Sequence, residues 1–158
     1  MRARGPKSKK QSAANSVSKQ PESLTFFLDA CLGGSKVANA IKATGATVEV
    51  LRDHFEIDTE DCEWLPVVGR RGWVILTKDR QIRSNQIEIV ALLKSGAPCF
   101  ALVAADMTGD EMGASFVRAL PHIKQLIRRN AVPFVATVSR SGAVSMLHTQ
   151  ADLIKKVD

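Results

Sequence analysis

The sequence predicts a single α/β domain, a three-layer α/β/α sandwich in which helices cover both faces of a mostly parallel sheet. A length of 158 residues with 45% hydrophobic side chains suits one compact domain with a sizeable core. Short apolar runs typical of buried strands alternate along the chain with amphipathic stretches of helical period. Strands separated in this way by helices are typical of parallel sheets that are covered on both faces.

Six segments are predicted as strands. The first five are short runs rich in apolar, β-branched and aromatic residues, bounded by glycine or polar residues. The sixth follows a turn at residues 140–142 and could pair antiparallel at the edge of the sheet. The predicted strands span residues 24–29, 47–51, 73–77, 100–104, 134–138 and 143–147.

The amphipathic stretches between these strands predict the helices. The acids at residues 58–61 offer N-caps and a favourable first turn for the second helix, in which Pro66 requires either a late start or a bend. Pro121 requires a bend or a restart in the longest helix. The third helix is predicted to face the core through Ile87, Ile89, Val90, Leu92 and Leu93. The predicted helices run from Gly33-Gly34 to Gly45, from the 58–61 segment to Gly69 or Gly72, over 84–95 and 108–130, with a short turn at 151–158.

The net charge of +6 belongs to the N-terminus. The first 20 residues carry six basic side chains and no acid, whereas the rest of the chain has equal numbers of acids and bases. Residues 1–22 have almost nothing to bury, so we predict a disordered tail followed by a folded domain at residues 23–158. The tail is either an electrostatic arm that grips phosphate backbones or a solubilising extension.

Composition and cysteine spacing exclude an integral membrane protein and argue against a zinc-binding or secreted one. The longest apolar stretch, Ala97–Ala105, is far shorter than the roughly 20 residues that a membrane-spanning helix needs. The three cysteines, Cys31, Cys62 and Cys99, match no zinc pattern, and no apolar signal-peptide core follows the basic N-terminus. We therefore expect no membrane association, and free thiols in the reducing cytoplasm.

Three acids lie where a parallel sheet binds ligands. Asp29 closes the first strand, Asp79 follows the third, and Asp61 begins the helix that precedes it. Asp61 could instead cap a helix and Asp79 a turn, but their coincidence beyond the carboxyl ends of the strands favours one cluster. Carboxylates without positive partners repel each other unless a divalent cation such as Mg²⁺ or Mn²⁺ lies among them. The chemistry that this arrangement indicates is phosphodiester hydrolysis.

Three segments carry a family resemblance: Phe26-Phe-Leu-Asp29, Asp61-Cys-Glu-Trp64, and Gly72-Trp-Val-Ile-Leu-Thr-Lys-Asp79-Arg80. Their order resembles that of the PIN-domain superfamily, most closely the VapC-type toxins of bacterial toxin–antitoxin pairs, over residues 24–103. The resemblance implies an endoribonuclease that cleaves single-stranded RNA with Mg²⁺ or Mn²⁺. It makes Asp29, Asp61 and Asp79 the catalytic, metal-binding acids, and it implies a cognate antitoxin protein as partner.

The chain departs from the family at one acid. Most PIN domains carry a further Glu on a helix between the first two acids matched here, and residues 33–42 contain none. The candidates to replace it are Asp58, Glu60 and Glu63, with Glu88 and Asp106 more distant. The residues predicted to bind RNA phosphate at the rim are Lys78, Arg80 and Arg83.

Two other functions stay open. A PIN-like module with a degenerate acid set would bind RNA or protein without catalysis. A magnesium-dependent phosphohydrolase would also use strand-end aspartates, although Asp29-Ala-Cys31 breaks the paired Asp-x-Asp that such enzymes have after their first strand. Apolar Leu153 and Ile154 near the C-terminus need a neighbour, and a homodimer contact is one option.

Overall fold

The computed structural model describes residues 24–56, 58–79, 85–103 and 106–157. Within these ranges six strands and five α-helices follow one another, with short 3₁₀ turns at Ala30–Leu32 and Leu51–Asp53. The elements are β1 (Thr25–Leu28), α1 (Lys36–Lys42), β2 (Thr47–Val50), α2 (Asp61–Arg70), β3 (Val74–Thr77), α3 (Gln86–Ser95), β4 (Pro98–Leu102), α4 (Gly109–Arg129), β5 (Phe134–Val138), β6 (Val144–His148) and α5 (Gln150–Val157).

The strands form one sheet in the order β2-β1-β3-β4-β5-β6. The first five strands are parallel, and β6 pairs antiparallel with β5. The predicted mostly parallel sheet is therefore confirmed, as is the antiparallel edge. The chain adds β2 on one side of β1 and then crosses back to add β3 on the other. This reversal puts a topological switch point between β1 and β3, where connections leave toward opposite faces and open a crevice.

Alternating residues of the central strands divide the core between the two faces. Phe26 and Leu28 lie in one buried cluster with residues of α1 and α4. Phe27 points to the other face and lies in a cluster with residues of α2, α3 and α5. This alternation is the period of two that strands impose on side chains. Both faces are covered, so the predicted three-layer α/β/α sandwich is confirmed.

Both proline-containing helices are continuous. α2 begins at Asp61 and continues through Pro66, and α4 continues through Pro121. Of the two alternatives predicted for each helix, the late start of α2 and the restart of α4 are therefore wrong, and a bend at each proline stays a prediction. The boundary of β4 is also corrected, because the strand begins at Pro98, paired with Phe134, rather than at Phe100. Proline is tolerated as the first residue of a strand.

The predicted core face of α3 is wrong at one position. Ile87 is 69% exposed, whereas Ile89 and Leu92 are buried. At 3.6 residues per turn, Ile87 lies on nearly the opposite side of the helix from Ile89. A run of apolar residues concealed this periodicity in the sequence.

Leu153 packs within the chain. It is fully buried in the cluster that contains Trp64 and Ile89, while Ile154 stays 43% exposed. The neighbour that the sequence required for Leu153 is therefore α3 and the sheet, and a homodimer remains a prediction that rests on Ile154 alone. The predicted disordered tail at residues 1–22 lies outside the described residues. Among the helices that the structure describes, none is long and apolar enough to cross a membrane.

Helices α2 and α3 pack closely at Gly69, and this contact gives a stability prediction. A methyl group on Gly69 would overlap the backbone carbonyl of Ser95 at the end of α3. We expect Gly69→Ala to lower the free energy of unfolding by about 1–3 kcal/mol, measured by urea unfolding. The matched control is Gly34→Ala, whose added methyl would meet no atom within 4 Å. Equal stability of Gly69→Ala and the wild type would contradict this packing.

Candidate metal centre at the carboxyl edge of the sheet

Hydrogen bonds of both the backbone and the side chain hold Asp29 at the end of β1. Its backbone N–H donates to the Leu76 carbonyl at 3.0 Å, which continues the pairing with β3. The Thr77 hydroxyl donates to Asp29 Oδ2 at 2.8 Å, and the Cys31 thiol lies 3.6 Å from the same oxygen. The residue is only 7% exposed. Asp29 therefore has a fixed position at the switch point.

Thr77 links this carboxylate to the segment that carries Asp79. The hydroxyl of Thr77 is fully buried at the end of β3. While it donates to Asp29, it accepts the backbone N–H of Asp79 at 3.0 Å. The Thr77 hydroxyl is therefore bonded to both Asp29 and the backbone of Asp79, and it keeps these two residues close together.

Asp61 is the first residue of α2 and is oriented by a buried tryptophan. Trp64, one turn later, donates its indole N–H to Asp61 Oδ1 at 3.0 Å. The indole ring is fully buried, with its centre 5.2 Å from the ring centre of Phe27 in β1. The hydrophobic core beneath the site therefore positions this carboxylate directly.

These contacts bring the three aspartates together. One carboxylate oxygen from each of Asp29, Asp61 and Asp79 lies within 4.8 Å of the other two. Burial raises the pKa of Asp29, and the charge of Asp61 raises it further against the opposing Thr77 hydrogen bond. Burial also raises the pKa of Asp61, with a contribution from the charge of Asp79. Burial, with a smaller contribution from the neighbouring carboxylates, therefore disfavours the charged forms of Asp29 and Asp61.

Glu88 of α3 is a fourth acid beside this group. Asn85 caps α3 and accepts the backbone N–H groups of Ile87 and Glu88, which fixes the first turn of the helix. The carboxyl group of Glu88 is hydrogen-bonded to that of Asp61, and burial, followed by this bond, raises the pKa of Glu88 to about 8. Glu88 Oε1 is buried without a hydrogen-bond partner among the described residues. Such an atom is costly unless a cation or proton donor completes it.

The donor set suits Mg²⁺ or Mn²⁺. Both ions prefer hard oxygen ligands, and the site offers three convergent carboxylates together with the unpartnered oxygen of Glu88. The sequence included Glu88 only as a distant candidate. A signal was nonetheless present, because Glu88 is a single acid inside the apolar run Ile-Glu-Ile-Val-Ala-Leu-Leu of α3.

The other acids considered as replacements lie elsewhere. Asp58, Glu60 and Glu63 are exposed and are not part of the three-aspartate group. Glu60 is the N-cap residue of α2, but its side chain makes no capping hydrogen bond. Asp106 is exposed, with a positive φ of 54°. Glu88, rather than any of these, is the acid whose side chain is hydrogen-bonded to that of Asp61.

The predicted phosphate-binding residues follow β3. Lys78 lies between Thr77 and Asp79 in the chain and is exposed. Its backbone N–H donates to Cys31 Sγ at 3.3 Å, and this contact holds it at the rim of the site. Arg80 and Arg83 lie outside the described residues.

The raised pKa values predict an unusual pH dependence of stability without metal. Glu88 has an ordinary pKa of 4.5 that folding raises to about 8, so between these values the folded protein binds more protons than the unfolded chain. The free energy of unfolding in EDTA is therefore expected to fall as pH rises from about 5 to 8.

This dependence can be measured as the Tm at several pH values in EDTA and in Mn²⁺. We expect Mn²⁺ to raise the Tm more at pH 8 than near pH 5, because protons compete with the cation for the carboxylates. Glu88→Gln should flatten the profile in EDTA. A Tm in EDTA that rises steadily toward pH 8 would contradict the electrostatics described for this site.

Comparisons with known proteins agree with this architecture. The profile of a family described as "PIN like domain" matches residues 24–104, which is just over half of the chain and includes all three aspartates. The chain is also 28% identical, over 126 residues, to the "Putative ribonuclease VapC45" of Mycobacterium tuberculosis (strain ATCC 25618 / H37Rv). That alignment covers 77% of this chain and 91% of the mycobacterial protein. No solved structure matches the chain.

Proposed function

The chain belongs to the PIN-like domain family, and from this premise we propose that it is a metal-dependent endoribonuclease that cleaves single-stranded RNA. The observation that supports this most strongly is the convergence of Asp29, Asp61 and Asp79, with one oxygen of each within 4.8 Å of the others. The mycobacterial relative is named as a ribonuclease, which favours RNA as the substrate class.

In this proposal the three aspartates hold Mg²⁺ or Mn²⁺. A divalent cation in such a site lowers the pKa of water and neutralises charge that develops on a phosphodiester. Thr77 and Trp64 act as positioning residues, because their hydrogen bonds fix Asp29 and Asp61. Glu88 lies beside Asp61 with one unpartnered oxygen and serves as the fourth acid of the site.

Substrate phosphate would be held at the rim by Lys78, with Arg80 and Arg83 following it in the chain. Lys78 is exposed and precedes Asp79, so its ammonium group would be available for a charge-assisted hydrogen bond to a substrate phosphate. These cations position the RNA backbone without reading its sequence.

The biological part of the proposal is a toxin whose activity a cognate antitoxin silences in the cytoplasm. It is supported by the similarity to a VapC-named protein. The three cysteines are free thiols, which is consistent with a reducing compartment. Induced expression should arrest growth, and co-expression of the antitoxin from a neighbouring gene should relieve the arrest. Normal growth during expression of an active ribonuclease would contradict the toxin assignment.

The ribonuclease assignment is tested with a fluorescent single-stranded RNA and purified protein in Mg²⁺, Mn²⁺ or EDTA. Cleavage in either metal and none in EDTA is the expected result, and a duplex of the same sequence should resist. Metal binding by a folded protein that leaves the RNA intact would instead support the degenerate binding module. Release of phosphate from a small phosphomonoester, with RNA intact, would support a phosphohydrolase.

A further inference from the structure

A pocket of about 240 Å³ lies on the β2 side of Asp29, away from β3. It is bounded by the end of β1, residues 33–35, α1, the end of β2 and the 3₁₀ turn after it. Asp29 lines this pocket and also belongs to the three-aspartate group, so the pocket and the proposed metal site share one residue. The pocket is small and partly open to solvent, so it suits one nucleotide base or sugar rather than a longer stretch of RNA.

The lining of this pocket combines cations with an apolar wall. Lys42 of α1 and Arg52 of the 3₁₀ turn contribute two positive side chains, and both residues are exposed. Within the part of the chain that the structure describes, neither forms an ion pair. The lining acids are Asp29 and Asp53, and the former faces the proposed metal. The cations are thus available for an anionic ligand.

The remaining walls suit a base and its ribose. Leu28 and Val50, at the ends of two neighbouring strands, contribute apolar surface, and Asn39 offers both a donor and an acceptor amide group. Gly33 has a φ of 85° and carries no side chain, so backbone rather than a side chain bounds the pocket there. Apolar walls with a few polar groups and nearby cations are typical of nucleotide sites.

We propose that this pocket binds the one unpaired nucleotide adjacent to the scissile phosphate, with its phosphate held by Lys42 and Arg52 and its base or ribose against the apolar wall. The inference rests on the proposed ribonuclease function and adds a physical reason for single-strand preference. A nucleotide that enters the pocket must leave its base stack, and this costs least when the base is unpaired.

Binding is tested directly by NMR titration of the metal-free, ¹⁵N-labelled protein with each ribonucleoside 5′-monophosphate. The amide signals of Gly33, Gly34 and Asn39 should shift saturably. Separate titrations with a nucleoside and with inorganic phosphate distinguish recognition of the base from recognition of phosphate alone. The Lys42→Ala/Arg52→Ala variant should lose the shifts. Shifts that are absent in the wild type, or unchanged in this variant, would overturn the proposal.

Kinetics of RNA cleavage provide the second test. The same double variant should raise KM about tenfold while kcat changes little, because it removes charge-assisted contacts and leaves the metal ligands intact. The matched control is Arg128→Ala/Arg129→Ala at the C-terminal end of α4, which precedes β5 and so lies at the amino ends of the strands. An unchanged KM would contradict the pocket assignment. Nucleotide binding by a wild type that cleaves no RNA would instead refute the ribonuclease and preserve the nucleotide site.

Discussion

Asp29→Asn should abolish RNA cleavage while leaving the protein folded. Loss of one carboxylate that binds the metal is expected to remove several kcal/mol of transition-state stabilisation, a decrease in kcat/KM of about a thousandfold. The fold should survive because asparagine has nearly the same size, and its carbonyl can accept the Thr77 hydrogen bond now made to Asp29. The variant also removes a buried charge that Asp61 opposes, so its Tm in EDTA should equal or exceed that of the wild type.

The matched control is Asp58→Asn. Asp58 is exposed and lies outside the group formed by Asp29, Asp61 and Asp79. Its variant should therefore cleave RNA as the wild type does. Equal cleavage by wild type and Asp29→Asn, prepared in parallel, would indicate a contaminating nuclease. Equal loss in both variants would argue against the specific role of Asp29.

Trp64→Ala should lower the free energy of unfolding more than Gly69→Ala or Asp29→Asn does. Trp64 is fully buried, packs against Phe27, and belongs to the core cluster beneath α2 and α3. Removing the indole is expected to lower the free energy of unfolding by about 3–5 kcal/mol in urea titrations.

Trp64→Phe separates packing from the hydrogen bond. It keeps a ring in the core but removes the N–H that donates to Asp61 at 3.0 Å. We expect most of the stability to remain and RNA cleavage to fall about 10–100-fold, the usual effect of losing a group that orients a metal ligand. Full activity in a stable Trp64→Phe protein would contradict the positioning role.

The three aspartates could be recognised in the sequence because each is tied to a local feature. Asp29 and Asp79 end apolar strands and Asp61 starts a helix, and in a parallel sheet these termini meet at one edge. β5 was predicted at its observed bounds, Phe134–Val138, since an isolated apolar run with polar flanks leaves little choice. Local patterns of this kind need no knowledge of strand order.

Glu88 and Ile87 show where local patterns fail. Both lie in the first turn of α3, in a run that is nearly all apolar, so the sequence does not reveal which face meets the sheet. Only packing of α3 beside α2 turns Glu88 toward Asp61 and leaves Ile87 exposed. The pocket beside Asp29 could not be predicted from the sequence either, because α1 and the turn after β2 meet there only when β2 pairs with β1.

The central claim is that Asp29, Asp61 and Asp79 together form a divalent metal site. It is tested most directly by anomalous diffraction from crystals of the wild-type protein soaked in Mn²⁺. The account predicts an anomalous peak within coordinating distance of carboxylate oxygens of Asp29, Asp61 and Asp79. Crystals in which Mn²⁺ occupies other sites while this one shows no peak would contradict it.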